Sequence, residues 1–565
     1  MQGIKKHVGH LGRFLPTVYA AIFFLLAVCG LLVLESKAGS YGYLSLSNAA
    51  LLFALLACGA LNVSVRQVMF SPKHTLSAAL AALALTVTSS FDKIPEEMKG
   101  LPFAFSETAA LPGFLLVFVA VFFLCKGLFA FFSVVAAPQA STPDLMLRED
   151  GGRRAFWLSF LFCSVALISL WLCVSYPYKS SPDTRNQLQQ VHGYLRLLDL
   201  HAPTHTLLIM SLFYVVEDYW FVVAVQIVLL SIACGFFGRY LCGRRSGLLL
   251  PYGWACALFQ LATVAMIYSS PWKDMPYTLC IAALTYLFMR LPDEDWPLTT
   301  PRAVAFGLAA AFAFLFRFNG AVVLVASAVF LTVYAARRRY WKQLAAFALS
   351  ALVAVGGMQG IIYGLFGFER SINGFAVQTF IFGIATVVME DGQITEEELE
   401  EVDELLGLYW IEEKYDRSAP SNLLWSKEEW EDDLDGFFDD PNHEPYNNLM
   451  IVSAGKQPQK VIGLYLRLLP CNLGPLTDAF LRGTKFIWAF EGVFGHIFLL
   501  VALGTAMVFY WPRKTFTRRW VAFLPVAANM VSIAASTITN ELRYLLPTYT
   551  LFVPLLFYVL ATRER

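Results

Sequence analysis

The sequence predicts an all-helical protein that crosses a membrane about fourteen times. Of its 565 residues, 57% are hydrophobic and only 15% are charged, whereas soluble domains carry about 25% charged residues. The apolar residues come in long blocks, and many blocks reach the roughly 17 to 25 residues that a helix needs to cross a bilayer. This pattern excludes a soluble enzyme, a disordered chain and a collagen-like chain. Basic and acidic side chains number 42 each, so no nucleic-acid partner is expected.

The predicted spans follow the apolar blocks in order. They cover approximately residues 14–35, 47–65, 76–91, 111–136, 155–176, 219–237, 248–269, 276–290, 303–317, 320–336, 343–366, 492–511, 519–539 and 545–561. The first block follows Lys5, Lys6 and Arg13 and lacks a cleavage site of small residues. It is therefore predicted to be a retained span with a cytoplasmic amino terminus.

The basic residues between the spans predict the orientation of the chain. Counting from a cytoplasmic amino terminus puts all of the large basic clusters on one side: Arg148/Arg153/Arg154, Arg239/Arg244/Arg245, Arg337/Arg338/Arg339/Lys342, Arg513/Lys514/Arg518/Arg519 and Arg563/Arg565. Short loops rich in Lys and Arg stay in the cytoplasm. The sequence therefore predicts a multi-pass cell-membrane protein with both termini in the cytoplasm.

The same alternation divides the chain into four regions. We expect N-terminal spans in 1–150, a membrane core in 151–366 with an exterior loop at 177–218, an acidic exterior domain in 367–490, and C-terminal spans in 491–565. In the acidic domain, Thr395 and Glu398 form a predicted capping box that starts an amphipathic helix lying over the membrane domain.

The acidic domain also contains a segment with the spacing of a calcium loop. EDDLDGFFDDPN, from Glu431, has acids and Gly436 at the expected places, but Asn442 replaces the bidentate Glu of such loops. A solvated acidic loop is the simplest interpretation, and weak binding of a divalent cation is the alternative. No other cofactor is suggested by the sequence.

The exterior loop after the fifth span contains the main candidate for a catalytic residue, Asp183. Pro182 presets a turn that can hold this carboxylate at the bilayer surface. Residues 185–198 are predicted to form a short interfacial helix, and the apolar stretch 206–216 is too short to cross the membrane. An ordinary turn-forming Asp remains the alternative for Asp183.

Charged and aromatic residues occur at other predicted exterior edges of the spans. They are Trp272, Lys273 and Asp274 in SSPWKDMPY, Arg317 and Asn319 in RFNG, and Arg543 and Tyr544 in NELRYLLP. Each alone is typical of an interfacial anchor. Together they predict one surface where cations neutralise a phosphate and a carboxylate accepts the proton of a hydroxyl.

Two histidines lie in the same exterior loop. His201 and His205 are four residues apart, as zinc ligands on a helix are, but Pro203 lies between them and no third ligand is evident. A metal site is therefore not predicted. Hydrogen bonding to Asp183 or to a sugar hydroxyl, and a simple interfacial role, remain open.

These motifs resemble those of the GT-C superfamily of membrane glycosyltransferases. YPYKSSPDTRNQ, HAPTHTLL, WKDMPY, RFNG and the ITEEELEEVDELL loop are similar to those of an uncharacterised family of bacterial multi-span proteins placed in it. The resemblance covers about residues 170–560. It implies transfer of a sugar from a polyprenyl-phosphate donor to a glycan, lipid or protein acceptor on the exterior face, with Asp183 as the catalytic base.

One departure from the superfamily concerns this base. Many members have an acidic pair in the first exterior loop, whereas Thr184 follows Asp183 here. Asp199 and Asp218 therefore remain alternative bases. Two other functions also remain open: a transporter or flippase for lipid-linked glycans, for which Lys126 in the fourth span is the strongest interior charge, and a non-catalytic assembly protein that docks a partner on its acidic loop.

Overall fold

The computed structural model describes a large part of the chain, in segments. These are residues 72–90, 118, 122, 125, 149–178, 182–199, 201–244, 252–253, 255–256, 270–293, 295–370, 377–417, 423, 454–484, 487, 496–510, 519–536 and 542–561. The predicted spans at 14–35 and 47–65, most of those at 111–136 and 248–269, Lys126 and the segment from Glu431 lie outside the described residues.

The described residues are mostly helical and contain no strand. The helices before the acidic region are α1 (Pro72–Ser90), α2 (Glu149–Leu170, continued by a π-turn at Trp171–Ser175), α3 (Pro182–Val191), α4 (Pro203–Phe213), α5 (Trp220–Arg244), α6 (Asp274–Arg290), α7 (Thr300–Phe316), α8 (Gly320–Arg338) and α9 (Trp341–Gln359, continued by a π-turn at Gly360–Leu365). The helices from the start of the acidic region onward are α10 (Gln378–Met389), α11 (Glu396–Leu406), α12 (Leu408–Lys414), α13 (Pro458–Leu468), α14 (Leu473–Gly483), α15 (His496–Tyr510), α16 (Leu524–Ser536) and α17 (Leu546–Ala561).

Five helical segments of the described chain are long and apolar enough to cross a membrane. They are Gly152–Cys173, Trp220–Cys242, Gly320–Arg338, Trp341–Leu365 and Arg543–Ala561. Shorter apolar helices include α4, α7 and α10. The prediction of an all-helical protein with apolar helices suited to a membrane is therefore confirmed.

Helix α6 lies at the centre of the main core. It packs against α5, α7, α16 and α17, and the aromatic rings of Phe288 and Phe306 meet at 4.9 Å between centroids. The outer faces of α8 and α9 are apolar and exposed, as at Val329 and Leu352. An apolar face without protein contact is the expected form of a surface that meets lipid.

The two short helices of the exterior loop differ from their predicted bounds. The helix predicted over 185–198 is α3, which begins at Pro182 and ends at Val191. Pro182 starts the helix instead of a separate turn, because its fixed φ suits a first helical residue and its missing N–H is not needed there. Gly193, with φ of +75°, follows the helix. The stretch predicted over 206–216 is α4, which begins three residues earlier at Pro203 for the same reason.

The acidic region contains a small helical unit with its own core. Val402, Leu405 and Leu406 of α11 are buried in a cluster with apolar residues of α10, α12, α13 and α14. The predicted capping box of Thr395 and Glu398 is confirmed. The apolar face of this helix packs on its neighbours in the unit, and its position over the membrane domain stays a prediction. Gly407, with φ of +76°, separates α11 from α12.

Candidate active site at one end of the helical core

Four distant parts of the chain meet at one end of the helical core. Asp183 is in the first turn of α3, Lys273 is the residue before α6, and Arg317 directly follows α7. Arg543 lies in a 3₁₀ turn, Leu542–Leu545, that leads into α17. Because α6 and α17 begin at this end and α7 finishes there, the antiparallel packing of the helices gathers these side chains.

Asp183 forms ion pairs with two cations. Its Oδ2 accepts a hydrogen bond from Arg543 at 2.7 Å and another from Lys273 Nζ at 3.2 Å. The three side chains are 13 to 19% exposed, so this cluster reaches the surface but is largely shielded. Arg543 lies 360 residues from Asp183 in sequence, and the fold brings it and Lys273 to the same carboxylate oxygen.

The two cations control the ionisation of Asp183. Burial alone would raise the pKa of this carboxyl, but the positive charges of Lys273 and Arg543 outweigh burial and hold its pKa well below the usual range. Its position in the first turn of α3 adds the favourable field of a helix N-terminus. Asp183 is therefore a carboxylate at neutral pH.

His201 is the second hydrogen-bond partner of Lys273. Burial, followed by the charge of Lys273, lowers the pKa of His201 to about 3, so this imidazole is neutral at physiological pH. An ammonium group only donates, and His201 Nδ1 therefore accepts from Lys273 Nζ, at 3.1 Å. The sequence left open a hydrogen bond from His201 to Asp183, and the bond that the structure shows goes instead to Lys273, which itself pairs with Asp183.

Two hydrogen-bonding positions in this cluster remain open. Within the described residues both bonds to Asp183 go to Oδ2, and Oδ1 accepts none. Lys273 likewise uses two of its three N–H donors on side chains of the described chain, those of Asp183 and His201. With respect to the part of the chain that the structure describes, an acceptor oxygen and an ammonium donor are thus unoccupied side by side.

A second ion pair lies beside the first. Arg317 and Asp274 are both buried and form a salt bridge. The guanidinium of Arg317 is 4.2 Å from the ring centroid of Tyr544, and the same ring lies 5.3 Å from the guanidinium of Arg543. Tyr544 thus separates two cations and connects the two ion pairs. Because Arg317 is committed to Asp274, its expected role as a direct phosphate contact is less suited to this geometry than a supporting role.

Trp272 supports the exposed side of the cluster. Its ring lies 5.4 Å from the guanidinium of Arg543, within the range of a cation–π interaction. The WKDMPY segment places Trp272 and Lys273 here because α6 starts at the next residue, Asp274. The sequence predicted Trp272 and Tyr544 as aromatic partners at headgroup level, and both contact the cations.

The RFNG segment is a tight corner between two helices. Arg317 follows α7 in extended conformation and its N–H bonds back to Ala313 and Phe314. A Cβ on Gly320 would clash with the backbone carbonyl of Ala313, so only glycine fits where α8 begins. This corner fixes Arg317 at the end of α7.

A second polar layer lies one turn further along α3. Gln187 Nε2 donates to Thr206 Oγ1 at 3.1 Å, and Gln187 Oε1 is 3.0 Å from His205 Nδ1. Since the amide oxygen accepts, Nδ1 of His205 donates. Burial, followed by the charge of Lys273, lowers the pKa of His205 to about 3. The roles of Gln187 and Thr206 were not predicted, although the spacing of four residues between Asp183 and Gln187, which places both on one face of a helix, is visible in the sequence.

Three other predicted residues lie apart from the Asp183 cluster. Asn319 contributes its backbone carbonyl, which accepts from Ser532 Oγ at 3.0 Å. Asp199 accepts from the hydroxyl of Tyr363 at 2.7 Å, and Asp218 is exposed and accepts from the backbone N–H of Trp220. Asp183 is the candidate base for which the structure shows ion pairs with two cations, Lys273 and Arg543.

The opposite end of the core carries a different set of charges. Tyr240 donates to Asp293 at 3.0 Å, and Arg290 lies 3.6 Å from the same carboxylate oxygen. The guanidinium of Arg302 stacks on Trp296 at 4.2 Å. These contacts tie α5, α6 and α7 together at the end remote from Asp183.

Comparison with known proteins gives no match. No family model, no curated protein and no solved structure matches this chain. In the part of the chain that the structure describes, no group of three or more His, Cys, Asp or Glu side chains is placed to hold a metal ion.

Proposed function

We propose that this protein is a membrane glycosyltransferase of the GT-C type, with about fourteen spans. It transfers a sugar from a polyprenyl-phosphate donor to a glycan, lipid or protein acceptor on the exterior face of the cell membrane. The observation that carries the proposal is that, among the described residues, Asp183 Oδ1 accepts no hydrogen bond and lies beside Lys273, which uses two of its three N–H donors. The donor phosphate needs a cationic N–H donor, and the acceptor hydroxyl needs a group that takes its proton. The two groups must be adjacent because the phosphate and the hydroxyl react at the same carbon.

In the proposed reaction, the acceptor oxygen attacks the anomeric carbon of the donor and its proton passes to Asp183 Oδ1. The bond between that carbon and the phosphate oxygen breaks, and polyprenyl phosphate leaves with the electron pair. The leaving phosphate gains one negative charge. Lys273 and Arg543 stabilise this charge more strongly in the transition state than in the ground state, which is the condition for acceleration.

The charges of the cluster support an anionic ligand. Two cations share one carboxylate, since Lys273 and Arg543 both contact Asp183, while Arg317 is neutralised by Asp274. A phosphate that contacts Lys273 and Arg543 weakens their hold on Asp183. The pKa of the carboxyl then rises toward the range of an effective general base.

The ends of the helices support an exterior position for the site. Arg290, Arg302, Arg337, Arg338 and Arg339 lie at the ends of α6, α7 and α8 that are remote from Asp183. Short basic loops stay in the cytoplasm, so the Asp183 cluster would face the exterior and both termini the cytoplasm.

The positions of the charges favour an enzyme over a transporter or flippase. Among the described residues, the buried charged side chains are Asp274, Asp293 and Arg317, and each lies at a helix end. Transport usually requires ionisable groups within the membrane. Lys126, which suggested transport, lies outside the described residues.

Replacing Asp183 tests the proposal directly. Asp183→Asn should lower transfer of radiolabelled sugar from polyprenyl phosphate about 10²- to 10⁴-fold, because the general base is removed. Asp183→Glu keeps the charge and the ion pairs but moves the carboxylate, so it should fold and lose part of the activity. Asp199→Asn, in the same loop, is the matched control and should transfer at the wild-type rate. Full activity of a folded Asp183→Asn protein would contradict the proposal.

A further inference from the structure

Lys273 is held by two acceptors of different charge. Its ammonium group donates to Asp183 Oδ2 at 3.2 Å and contacts Nδ1 of His201 at 3.1 Å. A lysine side chain has a long flexible stem, and its ammonium group is a point charge with three donors. These two bonds therefore fix where the ammonium group lies and in which direction its third N–H points.

The proposed reaction weakens one of these two bonds. A donor phosphate is an anion, and it competes with the carboxylate of Asp183 for the ammonium group of Lys273. The imidazole of His201 accepts without a negative charge, so a phosphate on the third N–H does not replace it. Once the donor binds, His201 is the acceptor that keeps Lys273 in place.

The geometry requires a neutral ring at His201. Nδ1 can accept from an ammonium group only when it carries no proton, and burial, followed by the charge of Lys273, lowers the pKa of His201 to about 3. A carboxylate in this place would cancel the charge of Lys273. A neutral acceptor leaves the whole charge available to the phosphate.

The main chain on both sides of His201 is fixed. Before it, the N–H of Asp199 donates to the carbonyl of Glu369 at 3.0 Å, and the carboxylate of Asp199 accepts from the hydroxyl of Tyr363 at 2.7 Å. After it, α4 begins at Pro203. His201 itself is buried. The end of α9 and the start of α4 therefore hold this imidazole against the flexible side chain of Lys273.

We propose that His201 is a positioning residue, which holds the ammonium group of Lys273 at the donor phosphate while that phosphate competes with Asp183. The inference rests on the proposed function, because it gives His201 a part in binding the donor of the same reaction. His201 acts through Lys273 and touches neither the sugar nor the acceptor. Loss of its ring nitrogen should therefore weaken binding of the donor alone.

Three substitutions separate this role from a structural one. His201→Leu removes the acceptor and keeps apolar bulk, whereas His201→Asn keeps an amide oxygen near the position of Nδ1 and should restore the bond to Lys273. His192→Leu is the matched control. His192 lies in the same loop, and its Nε2 forms a hydrogen bond with the hydroxyl of Tyr219 at 2.6 Å, so this variant also loses one imidazole bond.

The transfer assay varies the donor and the acceptor in turn. His201→Leu should raise KM for the polyprenyl-phosphate sugar about tenfold, as expected for one lost hydrogen bond to a charged group, with KM for the acceptor unchanged. His201→Asn and His192→Leu should keep the wild-type donor KM. An unchanged donor KM in folded His201→Leu, or the same increase in His192→Leu, would overturn the assignment.

A binding measurement keeps this inference separate from the proposed function. Thermal unfolding of the purified protein is followed with farnesyl phosphate and, as the uncharged comparison, with farnesol. Farnesyl phosphate should raise Tm more than farnesol does in the wild type, His201→Asn and His192→Leu, and the difference should shrink in His201→Leu. Such a pattern without any sugar transfer would refute the proposed function and leave the positioning role standing. Equal stabilisation of the wild type and His201→Leu, or none, would refute the positioning role.

The double variant shows whether His201 acts through Lys273. Lys273→Met should lower the stabilisation by farnesyl phosphate, and adding His201→Leu should lower it no further, because the group that His201 holds is already absent. A further loss in the double variant would show that His201 supports the fold independently of Lys273, and would contradict the proposal.

Discussion

At the scale of single residues, Asp183 is the group whose surroundings matter most. Its two oxygens differ, because Oδ2 is held by Lys273 and Arg543 while Oδ1 accepts no bond from the described residues. The same cations hold the pKa of this carboxyl well below its usual range, against the opposite effect of burial. The carboxylate of Asp183 is therefore fixed in orientation and ionised. Its pKa rises, and it becomes a stronger base, when a bound anion weakens the ion pairs with Lys273 and Arg543.

The ion pair with Arg543 predicts how activity depends on pH. In the proposed reaction ionised Asp183 is the active form, and its depressed pKa keeps it ionised at low pH. The acid limb of kcat/KM, which reports the free enzyme, should therefore lie well below the pH range in which an ordinary Asp titrates. In Arg543→Gln one cation is lost while burial remains, so the limb should move to higher pH.

The control for this profile is Arg196→Gln. Arg196 forms an exposed ion pair with Glu369 at 3.0 Å, and exposed pairs contribute little. Its profile should match that of the wild type. An acid limb that is the same in Arg543→Gln and in the wild type would show that Asp183 is not the group that titrates.

At the scale of elements, the corner between α7 and α8 determines where Arg317 lies. A Cβ on Gly320 would approach the backbone of Ala313, which cannot move aside cheaply. Gly320→Ala should therefore lower the free energy of unfolding by about 1 to 3 kcal/mol, as overpacking does, and reduce transfer because Arg317 and Asp274 shift.

Gly356 of α9 provides the matched control for this substitution. A Cβ there would have no neighbour within 4 Å, and alanine favours a helix over glycine by up to about 1 kcal/mol. Thermal unfolding of the two variants decides the point. Equal stability of Gly320→Ala and Gly356→Ala would show that the corner tolerates a side chain.

The elements also show how far the sequence could predict this molecule. Apolar blocks predicted helices such as α5 and α8 because burial in lipid or in a core requires apolar length, and the capping box of Thr395 is a local signal. The sequence could predict that Asp183, Lys273 and Arg543 lie on one surface, but not that both cations bond to the same carboxylate. The pairing of Arg317 with Asp274, and of His205 with Gln187, depends on tertiary packing that sequence periodicity does not encode.

At the scale of the whole molecule, the cluster around Asp183 and the basic residues such as Arg290 and Arg338 lie at opposite ends of the helical core. This polarity suits a protein with one face in the cytoplasm and a site on the other face. The helical unit around α11 follows α9 in sequence. The chain leaves α9 on the side of Asp183, because Glu369, just after the π-turn, forms backbone hydrogen bonds with Leu197 and Asp199 of the loop that contains Asp183.

The orientation can be measured through Cys471, which is exposed in the loop between α13 and α14. A maleimide that cannot cross membranes should label Cys471 in intact cells. A cysteine introduced by Arg338→Cys should react only after permeabilisation, because that end of α8 faces the cytoplasm in the proposed topology. Cys471→Ser measures background from other thiols. Labelling of the Arg338→Cys site in intact cells, with Cys471 protected, would reverse the proposed topology.

The most direct measurement is an experimental map of the protein with a polyprenyl-phosphate sugar bound. We expect the phosphate within hydrogen-bond distance of Lys273 Nζ and the guanidinium of Arg543, with the anomeric carbon facing Asp183 Oδ1. We also expect the bond between Arg543 and Asp183, 2.7 Å long in the free protein, to lengthen. A phosphate bound at the end near Arg290, or a donor that leaves the Asp183 cluster unoccupied, would contradict the account.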